Sequence, residues 1–356
     1  IFIRVCGHVL VCNDMAMEIA NVNLSSSQIE GGSFDFKTGI FTEDALSLIY
    51  SIIPTPTKEA IKEMFIKGNN LLLKNNITRC ASDDFSTLQV PYELIIECLE
   101  ELYNDGLMQV ALYEQVNLPS KALLLDYINK GYHKKKFNGF RMGPLKLLAD
   151  GSLGGRTAYL NEPYTDDPST RGIKVFKDED LEELIYIADS NSMDVAIHAI
   201  GDGMIDIVLN AIEKSLKRTN RINHRHSIIH AQLANKRQII KMKELRVSVI
   251  VQPIFLNSDI PIIEQRIGKA RAAESYLFKS MYNEGIKVGF STDAPVEDVS
   301  PLDNIKVAMT RQSLKHPELG EFLPNEKFTY EESIECYTTN NLWLSYEDDP
   351  LKKIEK

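Results

Sequence analysis

The chain has 356 residues, 44% of them hydrophobic, which is enough for one large buried core. Forty basic residues against fifty acidic ones give a net charge of −10, which excludes a broad cationic footprint for nucleic acid or anionic lipid and points to small-molecule substrates. Five cysteines, Cys6, Cys12, Cys80, Cys98 and Cys336, are odd in number and free of CxxC spacing; they exclude a disulfide framework or zinc knuckle and read as reduced thiols of a cytoplasmic protein.

In chain order, residues 1–75 are irregular. Residues 25–33 (SSSQIEGGS) read as a loop and 57–74 as a helix, so this segment is expected to be loop and helix packed over one end of a larger unit. From residue 76 short β-branched runs alternate with amphipathic stretches. Strands are expected at 76–82 (NITRCAS), 109–116 (QVALYEQV), 145–150 (LKLLAD), 194–200 (DVAIHAI), 227–232 (SIIHAQ), 247–253 (VSVIVQP) and 287–293 (KVGFSTD). Helices are expected at 180–188, 204–217 and 236–245, and Gly106, Gly285 and the Asn75–Asn76 pair mark helix ends. Strands apolar on both faces and alternating with helices imply a parallel sheet covered by helices. Seven strands fall one short of a closed eight-stranded α/β barrel, and a doubly wound sheet is the rival.

No run reaches the roughly 18 apolar residues of a membrane span, and no secretory leader pattern is visible. Neither a membrane nor a nucleic acid is therefore an expected partner.

Polar residues at strand ends favour the barrel. Lys146 lies inside LKLLAD, His198 ends DVAIH, His230 ends SIIH, Gln252 ends VIVQ, and Asp293 ends VGFSTD, each followed by a loop signal. Burying a lysine, two histidines and an aspartate in apolar strands is costly unless they pair or bind a metal, and a barrel gathers its carboxyl strand ends at one mouth. Imidazole and carboxylate ligands from separate strands suit a divalent metal such as zinc. Ser152 and Arg156, in the glycine-rich loop after LKLLAD, and His8 in CGHVL are candidate substrate contacts. The HxH spacing of His224 and His226 is a decoy: His226 precedes His230 by four residues, about 13 Å of extended strand at ~3.3 Å each, so one metal cannot take both.

Five segments carry a family resemblance: VCGHVLVCNDMAMEIA (5–20), LKLLADGSLGGRTAYLNEPYTDDP (145–168), HAIGDGMIDIVLNAIE (198–213), RHSIIHAQL (225–233) and GFSTDAPVEDVSPL (289–302). In these the chain resembles the amidohydrolase superfamily, in the YtcJ-like branch that includes N-substituted formamide deformylases. The resemblance implies a (β/α)8 metal-dependent hydrolase barrel and an attack by metal-activated water on an amide-like C–N bond of a small molecule. It implies His198 and His230 as metal ligands and Asp293 as ligand and proton shuttle. Lys146 would stand where the superfamily often carries a carboxylated lysine bridging two metals, with zinc as one or two ions.

The family's own HxH motif lies upstream of the segment resembling VCGHVLVCND, and relatives re-enter an accessory β-sandwich near the far end. The expected architecture is therefore an incomplete barrel over 76–345 lacking strand one and most of that sandwich, with 346–356 as a truncated tail. A gap with two exposed strand edges is expected to make metal binding weak and catalysis poor, or to be closed by a second copy in a homo-oligomer. Three readings stay open: a zinc-dependent amidohydrolase, a family remnant that folds without turnover, and a Schiff-base aldolase using Lys146.

Overall fold

The computed structural model describes residues 1–23, 25–26 and 29–348; part of the expected 25–33 loop and the tail from 349 lie outside them. Eleven strands are described: β1 (Phe2–Ile3), β2 (Val9–Val11), β3 (Gly32–Asp35), β4 (Ile40–Glu43), β5 (Arg79–Ser82), β6 (Ala111–Asn117), β7 (Phe140–Leu148), β8 (Val195–Ala199), β9 (Ser227–His230), β10 (Ser248–Val251) and β11 (Val288–Phe290). They divide into an antiparallel sheet of order β1-β2-β4-β3 and a seven-stranded sheet running β5 to β11 in sequence order.

Every neighbouring pair in the larger sheet is parallel. Parallel neighbours need a crossover, and helices supply it: Tyr92–Asn104, Lys121–Asn129, Asp178–Ser190, Asp202–Thr219 and Lys236–Leu245 lie between successive strands. The result is a curled parallel sheet flanked by helices, the α/β-barrel architecture expected, with β5 and β11 at its two edges. Its strands bury Leu145, Leu147, Val195, Ile197, Ile228, Val249, Val251 and Val288 almost completely against Leu184, Ile185, Ile205, Val208, Leu209 and Met242 of the helices. None of the described helices is long and apolar enough to cross a membrane.

All seven expected strands form. Strand β7 begins five residues earlier than expected because Phe140–Met142 pair with Leu112–Glu114 ahead of a register shift between Glu114 and Val116. Gly143 sits at that irregularity, where a Cβ would meet Glu114 O at 2.9 Å. Thr57 accepts from Ala60 N to start the helix Lys58–Lys74, and Asn76 just beyond it takes a positive φ.

Residues 1–75 differ from expectation. Instead of loop and helix alone they build the four-stranded antiparallel sheet around a second small core of Leu10, Met17, Val22, Phe41, Leu46 and Ile49. Its strands have two to four residues, too few for alternation to register as a period.

The β11 edge, expected bare, is covered. The side-chain amides of Asn340 and Asn341, in the helix Thr339–Leu344, donate to Val288 O at 3.0 Å and Phe290 O at 2.9 Å. Those carbonyls point away from β10, so the helix takes the place of a pairing strand. At the amino-terminal end of the sheet, His226 is fully buried, accepts from Val195 N through Nδ1 and holds Nε2 at 3.2 Å from Asp189. Arg221 bridges Asp189 and Asp194 there.

Two outcomes follow. Asn340→Ala, which strips a buried carbonyl of its donor, should lower stability in urea titration by about 1–3 kcal/mol. Burial raises the pKa of Asp189, but hydrogen bonds from His226, Thr219 and Ser215 outweigh it and hold the carboxyl below its ordinary range. A depressed folded pKa contributes stability that is complete above the unfolded value near ~3.9 and lost as pH falls below it. Asp189→Asn should therefore show a smaller drop in urea midpoint between pH 5 and pH 3 than the parent chain.

Candidate active site

Each crossover in a parallel sheet returns the chain to the same end, so the carboxyl ends of β5 to β11 face one mouth. His198 in β8 and His230 at the end of β9 are both buried, with ring centres 4.4 Å apart and planes at 72°. Each ring has one nitrogen tied to the protein. His198 Nε2 lies 3.2 Å from Gly151 O and 3.4 Å from Asp150. His230 Nδ1 lies 2.7 Å from Gln252 Oε1, while the Gln252 amide nitrogen donates to Ser291 Oγ and Ile250 O. That leaves His198 Nδ1 and His230 Nε2 without hydrogen-bond partners among the described residues.

Both rings are neutral in the physiological range. Burial and the neighbouring His230, His8 and Lys146 push His198 well below an ordinary histidine. Burial takes His230 down to about 4, against a partial opposing pull from Asp293. Neutral imidazoles with one nitrogen anchored and the other free are what a divalent cation binds.

The Asp150 carboxylate holds this end of the sheet together. It accepts from Tyr159 N at 2.9 Å, Ile200 N at 3.0 Å and Gly201 N at 2.9 Å, fully buried. Burial outweighs those three donors and raises its pKa to about 7.

Lys146 in β7 is buried, and its nearest carboxylate is Asp83, just after β5, with Nζ to Oδ2 at 4.0 Å. Asn117 Nδ2 reaches the same oxygen at 3.4 Å. Burial lifts Asp83 to about 6 although Lys146 pulls the other way. Deeper still, Glu114 accepts from Asp84 N and is pushed well above its usual range by burial.

Asp293 lies three residues beyond β11 at φ +54°, exposed at the rim. Its charge acts on His230, His8 and Asp83. The sequence-expected set of Lys146, His198, His230 and Asp293 therefore shares one mouth. Among the described residues, however, no three His, Cys, Asp or Glu side chains are gathered tightly enough to hold a metal ion.

His8 lies outside the barrel sequence yet inside the site. It precedes β2, its ring stands 4.9 Å from that of His198, and its Nδ1 lies 2.7 Å from Glu43 Oε2. Burial works against the charged ring, but Glu43 outweighs it and the pKa rises. Ser152 Oγ accepts from Gly155 N and lies 3.9 Å from Cys6 Sγ in the same turn as His8. Arg156 is committed through Nε and Nη2 to Asp166, which Arg266 also pairs.

Sequence reasoning missed Asp83, Glu114, Glu43 and the clamping role of Asp150. Asp83 carried a signal, an Asp-Asp pair closing an expected strand. Glu43 carried none, because its strand was not visible.

Set beside known proteins, this arrangement has clear relatives. The family profile described as "Amidohydrolase family" matches residues 1–354. YtcJ of Bacillus subtilis (strain 168) is 30% identical over 365 residues, covering 99% of this chain and 66% of that protein. N-substituted formamide deformylase of Arthrobacter pascens is 24% identical over 201 residues, covering 56% of this chain and 36% of the deformylase. The crystal structure of an uncharacterized metal-dependent hydrolase from Pyrococcus furiosus superposes with a TM-score of 0.75 at 30% identity, over 97% of this chain and 67% of that one. The chain thus spans about two thirds or less of the length of these relatives. With a parallel sheet whose carboxyl ends collect histidine, lysine and aspartate, and a profile that matches nearly end to end, the chain belongs to the amidohydrolase family.

Proposed function

We propose that the mouth is the active site of a metal-dependent hydrolase acting on amide-like C–N bonds of small molecules. The observation that carries this reading is the pair His198 and His230, buried, neutral, 4.4 Å apart and each with one ring nitrogen free. Support comes from the family, from a metal-dependent hydrolase among the structural relatives and from a relative whose name is a formamide deformylase.

The donor set suits a divalent cation, zinc first. His198 would bind through Nδ1 and His230 through Nε2, with Asp293 completing the set; a carboxylated Lys146 would join them through its carbamate oxygens, whereas as an ammonium group it would stand beside the cation without binding it. A cation held there supplies Lewis-acid polarisation of a carbonyl and lowers the pKa of water toward ~7.

The protein's own groups do the rest. The Asp293 carboxylate takes the proton of the attacking water and returns it to the departing amine nitrogen. Gln252 and Asp150 keep the two rings oriented. Lys146, paired with Asp83, offsets negative charge that develops on substrate oxygen. Ser152 and His8 face the substrate, and Arg156 keeps Nη1 for it while Asp166 holds the other two nitrogens.

A second reading, a family member that folds without turnover, is favoured by one fact: the donors are not gathered into a three-ligand cluster among the described residues. Zinc titration of the purified chain separates the two. On the hydrolase reading the chain binds zinc stoichiometrically, and His198→Ala and His230→Ala each weaken binding at least tenfold by calorimetry. Asp293→Asn should cut hydrolysis of an N-substituted formamide by about 10²–10⁴-fold, the usual worth of a positioned acid–base group. Zinc binding that is absent, or indifferent to both histidine replacements, would refute the hydrolase reading.

A further inference from the structure

We propose that Glu43 is a positioning residue for the site: it locks His8 in the tautomer that offers the Nε2 lone pair to an N–H of the substrate, so the preferred substrates are amides that carry an N–H. This rests on the hydrolase reading for its chemistry, and on four separate features for its geometry.

The first is the bond itself. Glu43 Oε2 lies 2.7 Å from His8 Nδ1, and both side chains are largely buried, 4% and 12% exposed. A carboxylate can only accept, so Nδ1 carries a proton, and in the neutral ring Nε2 carries the lone pair. Nε2 has no hydrogen-bond partner among the described residues.

The second is reciprocity. Strands β2 and β4 pair Val9 with Thr42, so His8 and Glu43 stand opposite each other at the next step, and Glu43 N donates back to His8 O at 3.1 Å. Backbone and side chain of Glu43 are both committed to His8. The third is strain. Glu43 holds φ +50°, a left-handed conformation that is costly for a residue with a side chain. Gly7, beside His8, holds φ +75° without that cost.

The fourth is the space made for the carboxylate. A Cβ on Gly151 would meet Glu43 Oε1 at 2.0 Å, and that oxygen is buried with no hydrogen-bond partner. Gly151 is also the residue whose carbonyl meets His198. The notch that admits Glu43 is thus built into the loop that orients a barrel histidine, which ties the small sheet to the mouth.

Inventory of the mouth explains the substrate class. Lys146 is a donor suited to a carbonyl oxygen, and His198 and His230 are directed to the cation. Once the ring is neutral, above its raised pKa, His8 Nε2 is an acceptor at the rim, complementary to an amide N–H.

The test uses the full chain with ¹⁵N-labelled histidine, His8 being assigned from a His8→Gln sample. Long-range ¹H–¹⁵N spectra should show His8 protonated at Nδ1 in the parent chain. Glu43→Ala should abolish that bias, and Glu43→Gln, whose amide oxygen still accepts, should keep it. Gly151→Ala, which displaces Oε1 without altering either partner, should weaken it. In hydrolysis, an N-monosubstituted formamide should be preferred over its N,N-disubstituted analogue. That preference should fall about 10–100-fold in Glu43→Ala, the usual effect of removing the partner that orients a site histidine, and recover in Glu43→Gln. A His8 ring protonated at Nε2 in the parent chain overturns the proposal, and that spectrum needs no variant to fold. So does a parent enzyme indifferent to the N–H. Zinc binding is measured on the same samples: a Nδ1-protonated His8 in a chain that binds no zinc sinks the hydrolase reading and leaves the Glu43–His8 lock standing, whereas normal zinc binding with no Nδ1 bias sinks the lock alone.

Discussion

A carboxylate with no exposed surface organises the mouth. Asp150 accepts three backbone N–H groups, from Tyr159, Ile200 and Gly201, and lies 3.4 Å from His198. These come from two loops, the one after β7 and the one after β8, that have no ladder of their own. Without Asp150 three backbone donors would be orphaned, and the two buried ones, of Ile200 and Gly201, would each cost about 1–3 kcal/mol. The close fit shows in the glycine beside it: a Cβ on Gly201 would stand 2.0 Å from Tyr159 O. Once these loops are clamped, Gly151 O is fixed against His198 and the notch for Glu43 is defined. Loop order, ring orientation and the docking of the amino-terminal sheet therefore share one anchor.

The same physics separates two buried histidines on β9 and its approach. His226 enters at the amino-terminal end, where Asp189 and Val195 N take both ring nitrogens. His230 leaves at the carboxyl end, where Gln252 takes one nitrogen and the other is free. They flank the same short run, residues 227–229. What distinguishes them is which end of a parallel strand they occupy, and that follows from strand direction alone. This is why His198, His230, Lys146 and Asp293 were legible before any coordinates: a polar residue closing an apolar run is positioned by topology, whatever the details of its contacts.

Partners were far less legible than positions. Asp150 lies four residues from Lys146 in the sequence, yet it is saturated by backbone donors and the lysine pairs with Asp83, two strands away. The sheet favours Asp83 because a side chain at the end of β5 reaches across β6 to β7. The bare β11 edge was inferred from the family resemblance, which places strand one upstream of this chain. The structure answers it with Asn340 and Asn341, side chains on a helix whose sequence carries no sign of strand pairing.

The least legible part of the site comes from the first 45 residues, and the reason is quantitative. A strand of two to four residues presents at most two side chains per face, so neither period nor composition announces it. His8 could be singled out only as a polar residue among apolar neighbours, and Glu43 not at all. Yet these two stand opposite each other at the end of one antiparallel ladder and reach the mouth together, and the glycine that makes room for Glu43 lies in a loop more than a hundred residues further on. Short antiparallel strands fix a pair of side chains with a few backbone hydrogen bonds and little core of their own. An arm built this way brings an orienting group to a barrel site without altering any barrel strand.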